Sequence, residues 1–357
     1  MRCDSRLAAV VAAAALLLAG CASQLDGTAA RGAELTGTTT ERSTSSPSTT
    51  RSSTESSTSP SSANSSTATS GAEDSSVPPS TDAPVQTDIE KFGQAYTWTD
   101  GLEVTVAAGT PFTPSEYAVS VPAPAYLSYT ITITNRTGKP YDPTLFNVTA
   151  QSAAKESESI YDSDNDLSGS PTTSILDGRD ATFAAGFGVA DPADVVLEIS
   201  PGFDYDSALF ATDGALAVVA PAAAEPPVTG TAQAKFGQTY GWPEGLEVSV
   251  APGVAFTPSD TSSADPANAY LSFTVTITNR TGKPYDPSLF YVSAESSGKE
   301  ADQVFDSANG FTGSPSTSVL DGHQSIFAIG FGVTDPADVV MELTPGFDYD
   351  GKAFFTN

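Results

Sequence analysis

In the segment YLSYTITITN the apolar side chains Leu127, Tyr129, Ile131 and Ile133 alternate with Ser128, Thr130, Thr132 and Thr134. A period of two puts the first set on one face of an extended chain and the second set on the other, which predicts a half-buried β-strand. The same alternation predicts strands around Leu102-Val104-Val106, Phe146-Val148-Ala150, Phe183-Ala185-Phe187-Val189 and Val195-Leu197-Ile199. Clusters of Gly, Pro and Asp separate these segments, as turns require. No stretch between them carries a convincing helical period.

The pattern occurs twice. KFGQAYTWTDGLEVTV from Lys91 returns as KFGQTYGWPEGLEVSV from Lys235, and YLSYTITITN returns with Leu271, Phe273, Val275 and Ile277 inward. Phe92 and Phe236, Asn135 and Asn279, and Asp204 and Asp348 are each 144 positions apart, so the two copies align without a gap. So long a period indicates a duplicated domain, since solenoid repeats run from about 20 to 50 residues. About seven short strands per copy, each with one apolar face, predict an all-β fold: tandem immunoglobulin-like antiparallel β-sandwiches. The expected boundaries are 88–212 for the first domain and 232–357 for the second, with an Ala/Pro-rich, semi-stiff spacer over 213–231.

The order FGQ-Y-W--GLEVTV, then YL-YTITITNRTGKPYDP--F, then LDG--ATFAAGFGV-DPADVVLEISPG resembles the actinobacterial lipoprotein modules called domain of unknown function 4352. Those modules are similar to a secreted mycobacterial immunogenic protein in the telokin-like superfamily. The resemblance implies an immunoglobulin-like domain of the cell envelope. It implies no reaction, because the family brings no catalytic residues with it.

The chain ahead of the repeats alters where such domains would sit. Arg2 and Arg6 precede an apolar run, Leu7 to Ala19, that closes on LLAGC. This is the pattern of a lipoprotein signal over 1–20, with Cys21 as the lipidated first mature residue. The run of about 13 apolar residues is short for a bilayer span, so the expectation is a protein anchored to the extracytoplasmic face of the membrane. Residues 21–87 are nearly all Ser, Thr, Pro, Ala and Gly, and they predict a disordered tether with an end-to-end distance of about 45 Å.

Charge and cysteine content exclude several chemistries. Removing Arg2, Arg6 and Asp4 with the signal leaves 13 basic and 42 acidic residues, a net charge of −29. Nucleic acid is a poor partner for that surface. The only other cysteine, Cys3, leaves with the signal, so disulfides, thiol nucleophiles and thiolate metal sites are not expected. The single histidine, His323, has Arg179 at its place in the first copy, which argues against a catalytic triad; a solvated turn is its expected setting. No cofactor, no metal and a monomeric state are expected.

Four features invite a functional reading. NRTGKPYDP occurs unchanged at Asn135 and at Asn279, directly after an alternating strand, and reads as a hairpin connection. Its Arg136, Lys139, Tyr141 and Asp142, with Arg280, Lys283, Tyr285 and Asp286, form a candidate contact surface, the tyrosine hydroxyls being solvated. PGFDYD at Pro201 and Pro345 pairs two carboxylates, but glycosidase chemistry needs a cleft between them; a Phe and Tyr closing the end of the domain is the simpler reading. DSDNDLSG has the opening spacing of a calcium loop at Asp162, Asp164 and Asp166, yet Leu167 and Thr173 stand where such a loop needs Gly and Glu. Finally, Gly186 and Gly188 on the outer face of FAAGFGV, with Gly330 and Gly332, mark either close packing or a docking surface. These features suggest binding or scaffolding rather than catalysis, since two modules on one tether raise avidity. An envelope protein or a glycan is the expected partner; a carboxylate-dependent carbohydrate-active enzyme and a plain surface spacer are the alternatives.

Overall fold

A computed structural model describes residues 89–119, 122–223, 225–230 and 233–357. The expected lipoprotein signal, Cys21 and the expected tether lie outside the described residues, as does the start of the first repeat. Among the described residues no helix is long and apolar enough to cross a membrane.

The chain is nearly all β. In the first repeat the strands are β1 (Ile89–Lys91), β2 (Ala95–Thr97), β3 (Leu102–Val106), β4 (Thr110–Pro111), β5 (Ala125–Asn135), β6 (Asn147–Ser152), β7 (Lys155–Glu156), β8 (Glu158–Ile160), β9 (Arg179–Val189), β10 (Val195–Ser200) and β11 (Ala208–Ala211). One sheet runs β1-β11-β10-β6-β7 and the other β2-β3-β5-β9-β8, with β4 paired to β5. Alternation decides what they bury: Leu102, Val104 and Val106 from β3 and Leu127, Tyr129, Ile131 and Ile133 from β5 face inward. They meet Ala150, Leu197, Ile199 and Phe210 of the other sheet in one apolar cluster.

The second repeat has β12 (Ala234–Lys235), β13 (Thr239–Gly241), β14 (Leu246–Val250), β15 (Val254–Ala255), β16 (Ala269–Asn279), β17 (Tyr291–Ser296), β18 (Lys299–Val304), β19 (Gln324–Val333), β20 (Val339–Thr344) and β21 (Ala353–Thr356). Its β18 is unbroken and pairs with β17 at one end and β19 at the other, joining everything into one sheet. In the first repeat the equivalent strand is split between β7 and β8. Ser157 lies at the split, its amide donating to the Ala150 carbonyl at 2.8 Å.

Two expectations about the copies change. Val196 lies beside Ala211, whereas Val340 lies beside Thr356, so the offset becomes 145 after the PGFDYD segment. Copy two holds one extra residue there. The segment expected to be a semi-stiff spacer is packed against the repeats. Asp213–Leu216 forms a helical turn capped by the Thr212 hydroxyl, Ala215 and Ala220 are buried, and the Pro221 carbonyl accepts from Arg280 at 2.6 Å. With few polar groups of its own, this Ala/Pro stretch packs on both repeats.

The repeats contact each other through residues that have no such contact in the opposite copy. Glu156 accepts from the Ser316 hydroxyl at 2.7 Å and the Thr317 hydroxyl at 3.0 Å, and Glu198 accepts from the Ser318 amide at 2.5 Å. The Ile326 amide donates to the Ala154 carbonyl at 2.6 Å. Val196, Leu209, Ala211, Ala215 and Leu320 make a separate apolar cluster at this contact. His323 is buried there, with Nε2 2.5 Å from the Ala215 carbonyl oxygen, so the expectation of a solvated turn histidine is overturned.

Candidate functional site

Two of the longer identical stretches of the repeats, NRTGKPYDP and PGFDYD, come together in space. NRTGKPYDP leaves the end of β5, but it does not turn back as a hairpin. It carries the chain across to β6 in the opposite sheet, and Tyr141 bridges Ile175 on the way. Asn135 organises the crossing. Its amide nitrogen donates to the carbonyls of Lys139 and Ile175, both at 2.7 Å, and its side-chain oxygen accepts from the Thr137 amide at 3.0 Å. Fully buried, this amide must have its donors and acceptor met, which fixes the loop. Gly138 takes φ +77 with open space around it, as a left-handed turn position needs.

Tyr141 is buried, contrary to the expected solvated hydroxyl, because its ring joins the core and its hydroxyl donates to the Pro201 carbonyl at 2.7 Å. Tyr285 repeats the bond on Pro345 at 2.6 Å. Burial raises the pKa of both phenols above the usual tyrosine value. Tyr141 therefore belongs to the scaffold of the tip and offers no free hydroxyl to a ligand.

PGFDYD supplies the other half of the tip. Tyr205 packs edge-on to Trp98 and to Tyr141, and its hydroxyl donates to Asp100 at 2.8 Å. Desolvation and the neighbouring carboxylates push the Tyr205 phenol up to about 12. The Trp98 indole donates to the Asp206 carbonyl at 2.8 Å. Tyr205 thus closes the end of the core as expected, but Phe203 does not: it is 94% exposed, and Phe347 is 92% exposed. Gly202, at φ +146, lets the chain turn Phe203 outward beside the half-exposed Leu145. Between the two loops runs a shallow groove of about 360 Å³ bordered by Lys139, Asp142, Leu145 and Phe203.

The charged residues of the expected contact surface divide by role. Arg136 pairs with Glu103 at 2.9 Å on the surface, Lys139 borders the groove, and Lys283 is exposed. Asp142 caps the following turn, accepting from the Thr144 hydroxyl at 2.5 Å and the Thr144 amide at 3.0 Å, and these hydrogen bonds lower its pKa; Asp286 caps Ser288 through its amide at 2.8 Å. Arg280 is bound by Glu247 and the Pro221 carbonyl, so the second tip is not electrostatically equivalent to the first.

The glycine face is covered. A Cβ on Gly186 would lie 2.5 Å from Leu167 Cδ1, and one on Gly188 would lie 2.9 Å from Ala123 Cβ. Gly330 meets Phe311 at 2.9 Å and Phe256 at 3.0 Å, and Gly332 meets Ala267 at 3.0 Å. These positions serve close packing and leave no open glycine face for a docking partner. Asp162 is likewise occupied. Its carboxylate accepts from the Ser115 amide and hydroxyl, both at 2.7 Å, and from Asn165 at 2.7 Å. These bonds hold its pKa down to about 2, and Asp306 with Ser259 and Asn309 reproduces the arrangement. Among the described residues no cluster of His, Cys, Asp or Glu is placed to hold a metal ion.

Sequence reasoning missed Phe203, taken for a core residue, and the contact carboxylates Glu156 and Glu198. A Phe after Pro-Gly looks the same whether it turns in or out, and Glu156 has an identical counterpart in Glu300 that makes no such contact.

No protein-family profile and no curated protein sequence matches the chain. Among solved structures it is similar to the yjhA protein from Bacillus subtilis, at 10% identity over 35% of this chain and 99% of that one, with a TM-score of 0.28. The secreted serine protease VesC from Vibrio cholerae follows at 13% identity over 67% of this chain and 50% of that one, TM-score 0.19. Red sea bream transglutaminase follows at 9% identity over 70% of this chain and 31% of that one, TM-score 0.17.

Proposed function

We propose that this chain is a cell-envelope lipoprotein, held at the membrane by Cys21, that presents two immunoglobulin-like sandwich modules for binding, with domain of unknown function 4352 as its family. The partner is an envelope protein or glycan, gripped at the module tips; the chemistry is recognition without catalysis. The observation that carries this reading is the exposure of Phe203 and Phe347. Each stands at the meeting of two sequence-identical loops whose other aromatic residues, Tyr141 and Tyr205 or Tyr285 and Tyr349, pack edge-on against one another. A large aromatic side chain presented to water at a loop tip is the type of anchor found at recognition interfaces. It suits an apolar pocket on a protein or the face of a sugar ring.

The test is capture from cell-envelope extract with the full chain and with a Phe203→Ser/Phe347→Ser double variant. Wild type is expected to retain a partner that the variant loses while both melt at the same temperature. Equal retention by the two, or retention of nothing by wild type, would sink the assignment.

A further inference from the structure

The contact between the repeats is heterologous. The first repeat gives a sheet face with Glu156, Val196, Glu198 and Leu209; the second gives the Ser316, Thr317, Ser318 and Leu320 loop. Since the repeats are copies, each also carries the half that the other uses. The burial patterns show which halves are left over. In β10 every residue from Val195 to Ile199 is buried, on both faces, whereas β20 keeps plain alternation, with Val340 and Glu342 half-exposed. Likewise β11 is buried throughout, while Phe354 and Thr356 of β21 remain partly open. On the loop side Leu320 is 1% exposed, but its counterpart Leu176 is 59% exposed.

We propose that a second copy of this chain occupies these vacant halves, the Thr172, Thr173, Ser174 and Leu176 loop of one molecule seating on the Glu300, Val340, Glu342 and Phe354 face of the next. The chemistry of the internal contact is retained on both sides. Two carboxylates remain on the face, three hydroxyl-bearing residues remain on the loop, and an apolar pair remains to meet Leu176. Where Asp194 lies in the electrostatic range of His323, the external pairing would set Asp338 against Arg179, a full opposite charge. Two exchanges weaken it: Glu295 replaces Gln151 and Asp180 replaces Gln324, and Glu342 already pairs with Lys352. The external contact is therefore weaker than the internal one and gains from salt, which screens repulsion between strongly acidic molecules. A head-to-tail contact of this kind closes into a ring or runs on as an open chain. It does not depend on the Phe203 tip.

Sedimentation equilibrium tests it, using the full chain with Cys21→Ser so that no lipid contributes. Wild type is expected to associate with rising concentration, more at high salt, and to pass beyond dimer. Leu176→Asp removes the loop half and Glu300→Lys the face half; both positions are exposed, so folding is retained. Each variant alone is expected to stay monomeric or lose most of its association, and their equimolar mixture to stop at dimer, since one vacant half survives on each. Monomeric wild type at every concentration overturns the proposal, as does undiminished self-association of either single variant.

Discussion

The Tyr141 hydroxyl donates to the Pro201 carbonyl at 2.7 Å from within the core, and that bond ties two stretches that the repeats share unchanged, NRTGKPYDP and PGFDYD. Tyr141→Phe removes the donor but leaves Pro201 oxygen buried beside an apolar edge. The expected cost is about 1 to 3 kcal/mol in the first repeat. Denaturant unfolding reads it, and Tyr285→Phe should reproduce it in the second repeat. A change below about 0.5 kcal/mol in both would mean that water restores the acceptor and the loops are not joined through this bond.

Asn135 allows a sharper version. Its side chain meets three backbone groups with no solvent access, so Asn135→Ala strands the Lys139 and Ile175 carbonyls and the Thr137 amide together. A loss larger than that of Tyr141→Phe, of about 2 to 4 kcal/mol, is expected. Hydrogen exchange should show the added opening first in the 135–143 loop.

How much of this could be read from the chain depends on whether a residue's neighbours are local. Alternation in 125–135 correctly placed Leu127, Tyr129, Ile131 and Ile133 inside, because period two is a property of the strand itself. Turn residues located the end of β5 at Asn135 but could not say where the chain went next: a hairpin and a sheet-to-sheet crossing use the same Asn, Gly and Pro. Val196 and Glu198 read as an outward face and would be one in an isolated repeat. They are buried because another repeat covers them, a relation that no local pattern encodes. The candidate tip was half legible. Identity between the copies marked both loops, whereas the outward turn of Phe203 depends on the conformation of Gly202.

Gly186 gives a direct test of the packing assignment. A Cβ would come within 2.5 Å of Leu167 Cδ1 and 3.3 Å of the Ile160 carbonyl, so Gly186→Ala makes the buried Leu167 side chain shift and presses on the β8 edge. Overpacking of this kind costs about 1 to 3 kcal/mol. Gly138→Ala, where φ is +77 and nothing lies near, should cost less, about 1 kcal/mol, from backbone strain alone. Thermal melts of the two variants compare them, and the reverse order would contradict the packing role.

Ser325 points the other way. Its hydroxyl is, among the described residues, a buried side-chain group with no hydrogen-bond partner, and Ala181 occupies the matching place in the first repeat. Ser325→Ala removes an unpaired polar group without opening a sizeable void. Stabilisation of about 1 kcal/mol is expected, and a destabilised variant would indicate that the hydroxyl finds a partner in solution.

The carboxylates define opposite pH limits. Burial raises Glu156 and Glu198 above the ordinary 4.5, against hydrogen bonds that lower them, from Ser316 and Thr317 to Glu156 and from Ser207 and Ser318 to Glu198. A raised native pKa means that the folded contact binds protons more tightly than the unfolded chain, so its contribution is full below 4.5 and is lost as pH rises through the raised values. Asp162 and Asp306 behave conversely: held at about 2 by donors from Ser115 and Ser259, they contribute above the ordinary 3.8 and lose that contribution as pH falls toward 2. Stability should therefore peak in mildly acidic solution and decline on both sides. The two declines have separate origins and can be removed separately. In melting curves followed against pH, Glu156→Gln/Glu198→Gln should flatten the decline on the alkaline side, because the amides keep an acceptor oxygen for the loop but carry no charge to desolvate. Asp162→Asn/Asp306→Asn should flatten the acid side and lower the plateau, since a neutral amide accepts less strongly from the same donors. An alkaline decline that persists unchanged in the glutamine variant would show that the contact between the repeats does not titrate through these two residues.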